Sequence, residues 1–395
     1  MKSGCLGFIF GLILLLLTDG ILWWQIKQCL KKKWQKTIYL FQALFFIILL
    51  MLFQYFVDKV QGPTGYFWIE KIIGLLVLVY SPKVIYIFFN GIGKLLPQRD
   101  RRFNIFQRTG NAFSLILFFF LLYSLTWGRY QYRLERINIP VQQLPTTFQN
   151  FTIVQLSDLH LGSFGENYIG IDRLVKEVNA LKPDLIVFTG DMVNNFSSEL
   201  LPWIEKLQKL KAKYGKYAVT GNHDYGDYSN WNNPQEKEKN LKYFYKYMEK
   251  AGFYMLNNAN IPLVIQKDTL WLAGVENWGK PPFPQYGNLN KALQGISKKY
   301  PIILLTHDPF HWKAEVLTHP IFLTLSGHTH AMQMGFEMRN IKWSPAQYIY
   351  PEYDGLYQQG NQYLYVSRGQ GYLGFPGRIG MQPIITLFTL KNNSH

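Results

Sequence analysis

Apolar and polar positions divide the chain into two stretches with different rhythms. In the first, apolar residues form long runs: 7–26, with an almost pure leucine stretch at 12–17; 38–57; 72–95, interrupted by Ser81-Pro82-Lys83; and 112–128, built around residues 118–122. Each approaches the ~20 residues that a helix needs to cross a bilayer, and a helix is the open segment that satisfies its own backbone there. About four transmembrane helices are therefore expected over residues 1–130. Pro82 lacks a backbone donor and Lys83 is costly in mid-bilayer, so the third is expected to be kinked or partly interfacial. Asp19, toward one end of its run, reads as an interfacial or helix-packing residue. A short apolar stretch after Lys2 also fits a signal peptide, but no small-residue cleavage site follows Leu17 and further apolar runs do.

Residues 131–150 read as a polar linker. From 151 to 390 the rhythm changes to short apolar strands alternating with amphipathic helices, the pattern of an α/β domain. Strands are expected at 151–156, 184–189, 217–219, 301–305 and 321–325. Helices are expected at 169–181, 198–213 and 234–251, the last with a solvated charged face. Polar residues gather where the strands stop: Ser157-Asp158-Leu159-His160, Gly190-Asp191, Thr220-Gly221-Asn222-His223-Asp224, Thr306-His307-Asp308 and Ser326-Gly327-His328-Thr329-His330. Strand ends form the ligand crevice of layered α/β folds.

Composition separates the halves further. The chain of 395 residues carries a net charge of +16, of which +12 falls in residues 1–150 and +4 in the remainder. The excess sits between apolar runs, which points to membrane topology and away from a nucleic-acid face. Basic clusters at 27–36 and 94–108 flank a near-neutral loop at 58–71. Positive loops stay cytoplasmic, so both termini, and with them the second half, are expected outside. Arg129, Arg133 and Arg136 argue the other way more weakly. The two cysteines, Cys5 and Cys29, allow no disulfide framework in the second half.

Five of the eight histidines, His160, His223, His307, His328 and His330, stand at strand ends with acids in step. One such histidine is ordinarily structural. Five together with Asp158, Asp191 and Asn222 supply nitrogen and oxygen donors without thiolate, a set suited to Mn, Fe or Zn and unlike a structural zinc finger. Gly327 lets the backbone approach closely. Among lesser candidates, His311 is expected at a surface or rim, His319 in a loop and His395 at the terminus. Arg368 and Arg378 read as phosphate holders or as structural or surface arginines. Trp278, Phe283 and Tyr286 read as a cover over the crevice, a lipid contact or a self-packed loop.

The ordered series Asp158-x-His160, Gly190-Asp191, Gly221-Asn222-His223-Asp224, His307 and Gly327-His328-x-His330 resembles the calcineurin-like metallophosphoesterase superfamily. It is most similar to the bacterial membrane-anchored branch, through residues 157–162 and 221–225 and through Gly355-Leu356-Tyr357 with residues 365–369. The resemblance covers nearly all of 150–390. It implies a four-layer α-β-β-α sandwich holding two divalent metals. Asp158, His160, Asp191 and His330 would bind one ion, and Asp191, Asn222, His307 and His328 the other. His223 would face substrate, as acid or as charge stabiliser, with Asp224 orienting it. Ala331-Met332-Gln333 and Ile384 depart from the common pattern and alter the expected pocket.

The implied activity is a membrane-anchored, metal-dependent hydrolysis of a phosphomonoester, phosphodiester or diphosphate. The anchor makes a lipid-linked substrate, such as a UDP-diacylglucosamine-type lipid, a candidate partner. That particular lipid is cytoplasmic and conflicts with the expected topology. A non-catalytic membrane sensor or scaffold is the alternative, and the full donor set argues against it. A transporter is a third class, disfavoured by the few ionisable groups inside the apolar runs.

Overall fold

A computed structural model describes residues 2–59, 62–96, 101–165, 168–281, 284–297, 299–339 and 341–392. The chain separates into two units, one of which holds the first four helices and the tetrapeptide Gly374–Gly377.

The four helices are α1 (Lys2–Ile26), α2 (Lys33–Lys59), α3 (Pro63–Lys94) and α4 (Arg101–Thr126), and each contains a stretch long and apolar enough to cross a membrane. The interruption expected at Ser81-Pro82-Lys83 does not break α3, which runs as one helix of 32 residues. Lys83 is accommodated because its Nζ lies 2.6 Å from Asp19 Oδ1 and 2.9 Å from Gln42 Oε1. Tyr80 donates to the other Asp19 oxygen (2.7 Å) and Tyr39 to the Asp19 carbonyl (2.7 Å). Asp19 thus packs helices together, and its charge is met inside the unit. Part of the basic segment between α3 and α4, residues 97–100, lies outside the described residues.

The second unit contains two six-stranded sheets. The first has the order β1 (Arg133–Val141), β14 (Ile384–Asn392), β2 (Thr152–Leu156), β3 (Leu185–Phe188), β4 (Lys216–Ala218), β5 (Tyr254–Met255). The second has the order β12 (Gly355–Gln359), β13 (Gln362–Val366), β9 (Leu323–Ser326), β8 (Ile302–Leu305), β7 (Asp268–Gly274), β6 (Ala259–Ile265). A separate two-stranded ribbon joins β10 (Phe336–Met338) to β11 (Ile341–Trp343).

The strands are continuously apolar because both sheet faces are buried. Along β3, Leu185 and Val187 enter the core between the sheets, where they meet Leu272, Ile303, Leu305 and Leu325. Ile186 and Phe188 turn the other way, onto a core with α5 (Ile169–Ala180), α6 (Ile204–Gln208) and α7 (Pro234–Lys250). Along β8, Ile302 and Leu304 pack on α8 (Leu289–Ala292) and α9 (Phe310–Ala314). Helix, sheet, sheet, helix is the four-layer order expected.

Two expectations need correction. Residues 133–141, read as linker, form β1 and pair in parallel with β14. As an edge strand with one half-exposed face it tolerates Arg133, Glu135, Arg136 and Pro140, which hid it. The helix expected at 198–213 is instead a 3-10 segment, Ser197–Trp203, followed by the short α6, with Pro202 inside the 3-10 segment.

Candidate metal centre

The strand ends converge, and they do so in unusual backbone conformations. Asp158 (φ 52°), His160 (47°), Asp191 (60°), His328 (75°) and His330 (51°) all occupy the left-handed region. Each such residue is disfavoured by of order 1–3 kcal/mol and persists where the surroundings over-determine it. Here the surroundings are backbone hydrogen bonds and glycines. The N–H of His328 donates to Asp158 Oδ1 (3.0 Å), and the N–H of His223 to Asp191 Oδ1 (2.9 Å). A side chain at Gly221 would collide with the Asp191 carboxylate, and one at Gly327 with Ser157 and the Asp158 carboxylate.

Two groups of donors result. Asp158, His160 and His330 place one ligand atom each within 4.8 Å of one another, and Asp191, His307 and His328 do the same. His160 Nε2 lies 3.0 Å from His330 Nε2, and His328 Nδ1 lies 3.1 Å from His307 Nε2. Asn222 Oδ1 joins the second group, 3.1 Å from His307 Nε2 and 2.9 Å from His328 Nδ1. Asp191 Oδ2 faces both groups, 3.1 Å from His307 Nε2 and 3.6 Å from His160 Nε2.

Imidazole nitrogens brought this close cannot all carry protons. Burial takes His160 down to about 3 and His328 down to about 4, and it holds His330 well below its usual value. These rings are neutral, with lone pairs free to bind metal. Burial pushes Asp158 up to about 7, and the negative charge of Asp191 adds to this. Burial would lower His307 too, but the charge and hydrogen bond of Asp191 outweigh it and raise His307 to about 10. Burial acts to raise Asp191 as well, yet His307 and its neighbours hold it well below the carboxylate range. The donor set fits two divalent cations: oxygen and nitrogen only, buried, lone pairs converging.

His223 lies beside these groups and is half-exposed. Its Nδ1 sits 2.8 Å from the Asn194 carbonyl, and its ring is edge-on to His160 at 5.0 Å between centroids. Among the described residues no hydrogen bond joins its ring to the Asp224 carboxylate. The Asp224 carboxylate instead accepts from the backbone N–H groups of Gly221, Asp191, Met192 and Val193, at 2.8–3.2 Å. It ties two strand-end loops together.

Sequence reasoning missed several partners. Asn194 Oδ1 accepts from His160 Nδ1–H (3.1 Å) while the Asn194 main-chain carbonyl holds His223. Buried Glu199 fixes that loop by accepting from the N–H groups of Asn194, Asn195 and Phe196. Tyr350 OH lies 3.0 Å from His328 Nε2, and Tyr228 OH accepts from Asn222 Nδ2 (2.9 Å). Only Asn194 carried a signal, since it follows a strand-end Gly-Asp.

The lesser candidates resolve as structural contacts. His311 is buried, not at a surface: it bonds Thr306 Oγ1 (2.9 Å) and is stacked on Trp278. Arg368 is buried between Asp354 and Glu337. Arg378 is buried and donates to the carbonyls of Gly371 and Gly369, with Nη2 3.4 Å from His330 Nδ1. Tyr286 stacks on Tyr225 at 3.8 Å. Phe283 and His395 lie outside the described residues.

Residues 151–332 match the sequence profile of the family described as calcineurin-like phosphoesterase. The chain is 30% identical over 335 residues to a Danio rerio protein named transmembrane protein with metallophosphoesterase domain, covering 81% of this chain and 72% of that one. A Bos taurus protein of the same name is 35% identical over 269 residues, with 65% and 56% covered. The Bacillus subtilis metallophosphoesterase YkuE, named as uncharacterized, is 32% identical over 257 residues, covering 64% of this chain and 82% of YkuE. A solved dimetal phosphatase from Danio rerio is similar at a TM-score of 0.35 and 12% identity, over 56% of this chain and 88% of that one, too loosely to place residues.

Proposed function

Because the chain belongs to the calcineurin-like phosphoesterases, a family of metal-dependent phosphoester hydrolases, we propose that it hydrolyses a phosphoester at the centre built from Asp158, His160, Asp191, Asn222, His307, His328 and His330. The observation that carries this is Asp191, whose single oxygen faces both donor groups. Asp158, His160, Asp191 and His330 would hold one cation, and Asp191, Asn222, His307 and His328 the other. Two divalent cations held there supply charge stabilisation for in-line displacement at phosphorus and lower the pKa of the attacking water. Mn, Fe and Zn all suit the donors.

The chain's own residues do the rest. The Asn194 carbonyl accepts from the Nδ1–H of His223, which leaves Nε2 to meet the departing oxygen or a phosphate oxygen, as a donor in the imidazolium form. Asp224, through its backbone N–H contacts, keeps the loops of Asp191 and His223 in register. The membrane helices favour a phosphoester carried by a lipid. The basic segments 27–36 and 94–108, with an even number of helices, favour an extracytoplasmic domain in a bacterial inner membrane.

The test is a metal-replete screen of the full-length protein against p-nitrophenyl phosphomonoesters, bis(p-nitrophenyl) phosphate and lipid diphosphates. Metal-dependent turnover lost on chelation and restored by Mn, Fe or Zn is expected. No turnover on any class with two ions bound would sink the reading. Topology is decided separately: Ser297, exposed and in a loop, replaced by cysteine in a cysteine-free background, should react in cells with a membrane-impermeant thiol reagent once the outer membrane is permeabilised.

A further inference from the structure

The ribbon β10–β11 is short, and nothing in the catalytic chemistry above uses it. Its register pairs Phe336 with Trp343, Glu337 with Lys342 and Met338 with Ile341. Directly paired residues of an antiparallel ribbon share a face, and successive residues alternate. One face therefore carries Glu337 and Lys342, and the other carries Phe336, Met338, Ile341 and Trp343.

The polar face is fastened down. Glu337 pairs with Arg133 (3.0 Å) and with buried Arg368 (3.1 Å), and Lys342 pairs with buried Asp354 (2.5 Å). The apolar face is left outward: Met338 is 66% exposed, Ile341 59% and Phe336 48%, with Phe336 stacked on the half-buried Trp343. A soluble surface ordinarily shows the reverse arrangement. The apolar surface continues through Tyr348, whose OH accepts weakly from Trp343 Nε1 (3.4 Å), to Ile349. Ile349 and Tyr350 then line a cavity of about 210 Å³ beside Asn222 and His328.

We propose that this ribbon is a membrane-contact lip: its apolar face rests in the interfacial layer of the lipid bilayer, next to the mouth of the metal centre. Three observations select lipid as the occupant. The domain hangs from a helix that crosses the membrane by a connection of six residues, 127–132, so a lipid surface is the partner present at constant high effective concentration. The residue types, Trp and Tyr with Phe, Met and Ile, are those of interfacial contacts, and exposed Arg339 at the ribbon's turn suits anionic headgroups. Six side chains also fall short of the ~20–30 residues a side that a stable protein–protein interface takes. A lip of this kind lets a phosphoester remain partly in the bilayer while its phosphorus reaches the metals. The contact itself does not depend on that use.

The test uses the full-length protein with Cys5 and Cys29 replaced by serine, in liposomes. Met338→Cys, and separately Ile341→Cys as a second position, is labelled with an environment-sensitive fluorophore, with Ser297→Cys as control. Blue-shifted emission and loss of fluorescence to nitroxide-labelled phosphatidylcholine are expected at both ribbon positions and not at the control. Emission at the ribbon that ignores the spin-labelled lipid overturns the proposal. Disulfide-linked dimers of unlabelled Met338→Cys, with no lipid quenching, also overturn it and assign the face to a second copy. Turnover of bis(p-nitrophenyl) phosphate by the same samples is a separate readout, so failure of the hydrolytic reading leaves the lipid contact to be judged on quenching alone.

Discussion

Both units of this protein bury charge, and they balance it differently. In the membrane helices Asp19 meets Lys83 at 2.6 Å, the Tyr80 hydroxyl donates to its other carboxylate oxygen and the Tyr39 hydroxyl to its main-chain carbonyl. Opposite charges cancel, and the donors and acceptors around the carboxylate are matched. At the strand ends, two aspartates share a small volume with four histidines, three of them driven neutral, and five of the backbones are left-handed. There acceptors outnumber donors, and imidazole nitrogens face one another at about 3 Å. A balanced cluster is structural material. An unbalanced one, held rigid against its own preferences, is a receptor for cations.

The strongest way to break this contrast is Asp191→Ala. It removes the one oxygen that faces both donor groups, and metal content should fall from two ions while hydrolysis of bis(p-nitrophenyl) phosphate drops to background. Two tightly held ions with near-normal turnover would show that the cluster is not bridged by this residue.

His223→Ala sharpens the contrast from within the site. Its Nδ1 is committed to a carbonyl and not to a donor group, so both ions should remain while kcat falls roughly 10²–10⁴-fold. Metal analysis and kinetics on one preparation decide it, since parallel loss of ions and rate would make His223 a ligand.

Lys83→Met unbalances the membrane cluster. An uncompensated buried carboxylate costs about 3–5 kcal/mol, whereas Asp19→Leu with Lys83→Met should recover most of that loss. Thermal unfolding in detergent reads both. Turnover of a soluble ester below the unfolding transition should stay unchanged, and a specific loss of turnover would give Asp19 and Lys83 a functional part.

The smallest effect concerns His311, a buried histidine outside the donor groups. Burial lowers it from 6.5 to about 4. The unfolded chain takes up this proton first, so His311 contributes stability that is complete above pH 6.5 and fades as pH falls toward 4. The stability advantage over His311→Gln should shrink by about 2 kcal/mol between pH 7 and pH 5, with the other histidines cancelling in the comparison. A pH-independent difference would mean that the ring titrates in the fold as it does in the unfolded chain.

The candidate donors were legible in the sequence because each stands where an apolar run stops, and Gly190, Gly221 and Gly327 directly precede Asp191, Asn222 and His328. Their partners were not. Asn194 follows the strand-end Gly190-Asp191, but its hold on His223 is a main-chain carbonyl that no side-chain pattern reveals, and Tyr350 reaches His328 from a segment with no strand-end pattern. His311 is expected at a surface or rim, but Trp278, arriving from a distant loop, covers it. Strands buried on both faces announced themselves as apolar runs, whereas β1 shows charge on one face and was hidden. The polar side of the β10–β11 ribbon has the same character.

The position of β14 bears on how the domain is made. This strand lies between β1 and β2 and is hydrogen-bonded to both, yet it follows every other described strand in the chain. During synthesis β1 and β2 emerge early with facing edges that cannot meet, because their shared neighbour is not yet translated. The first sheet therefore stays open, with two unpaired edges, until β14 leaves the ribosome. A nascent domain tethered to the membrane by α4 would wait in that state, and a chain truncated before residue 384 should be recognised by proteases and chaperones as unfinished.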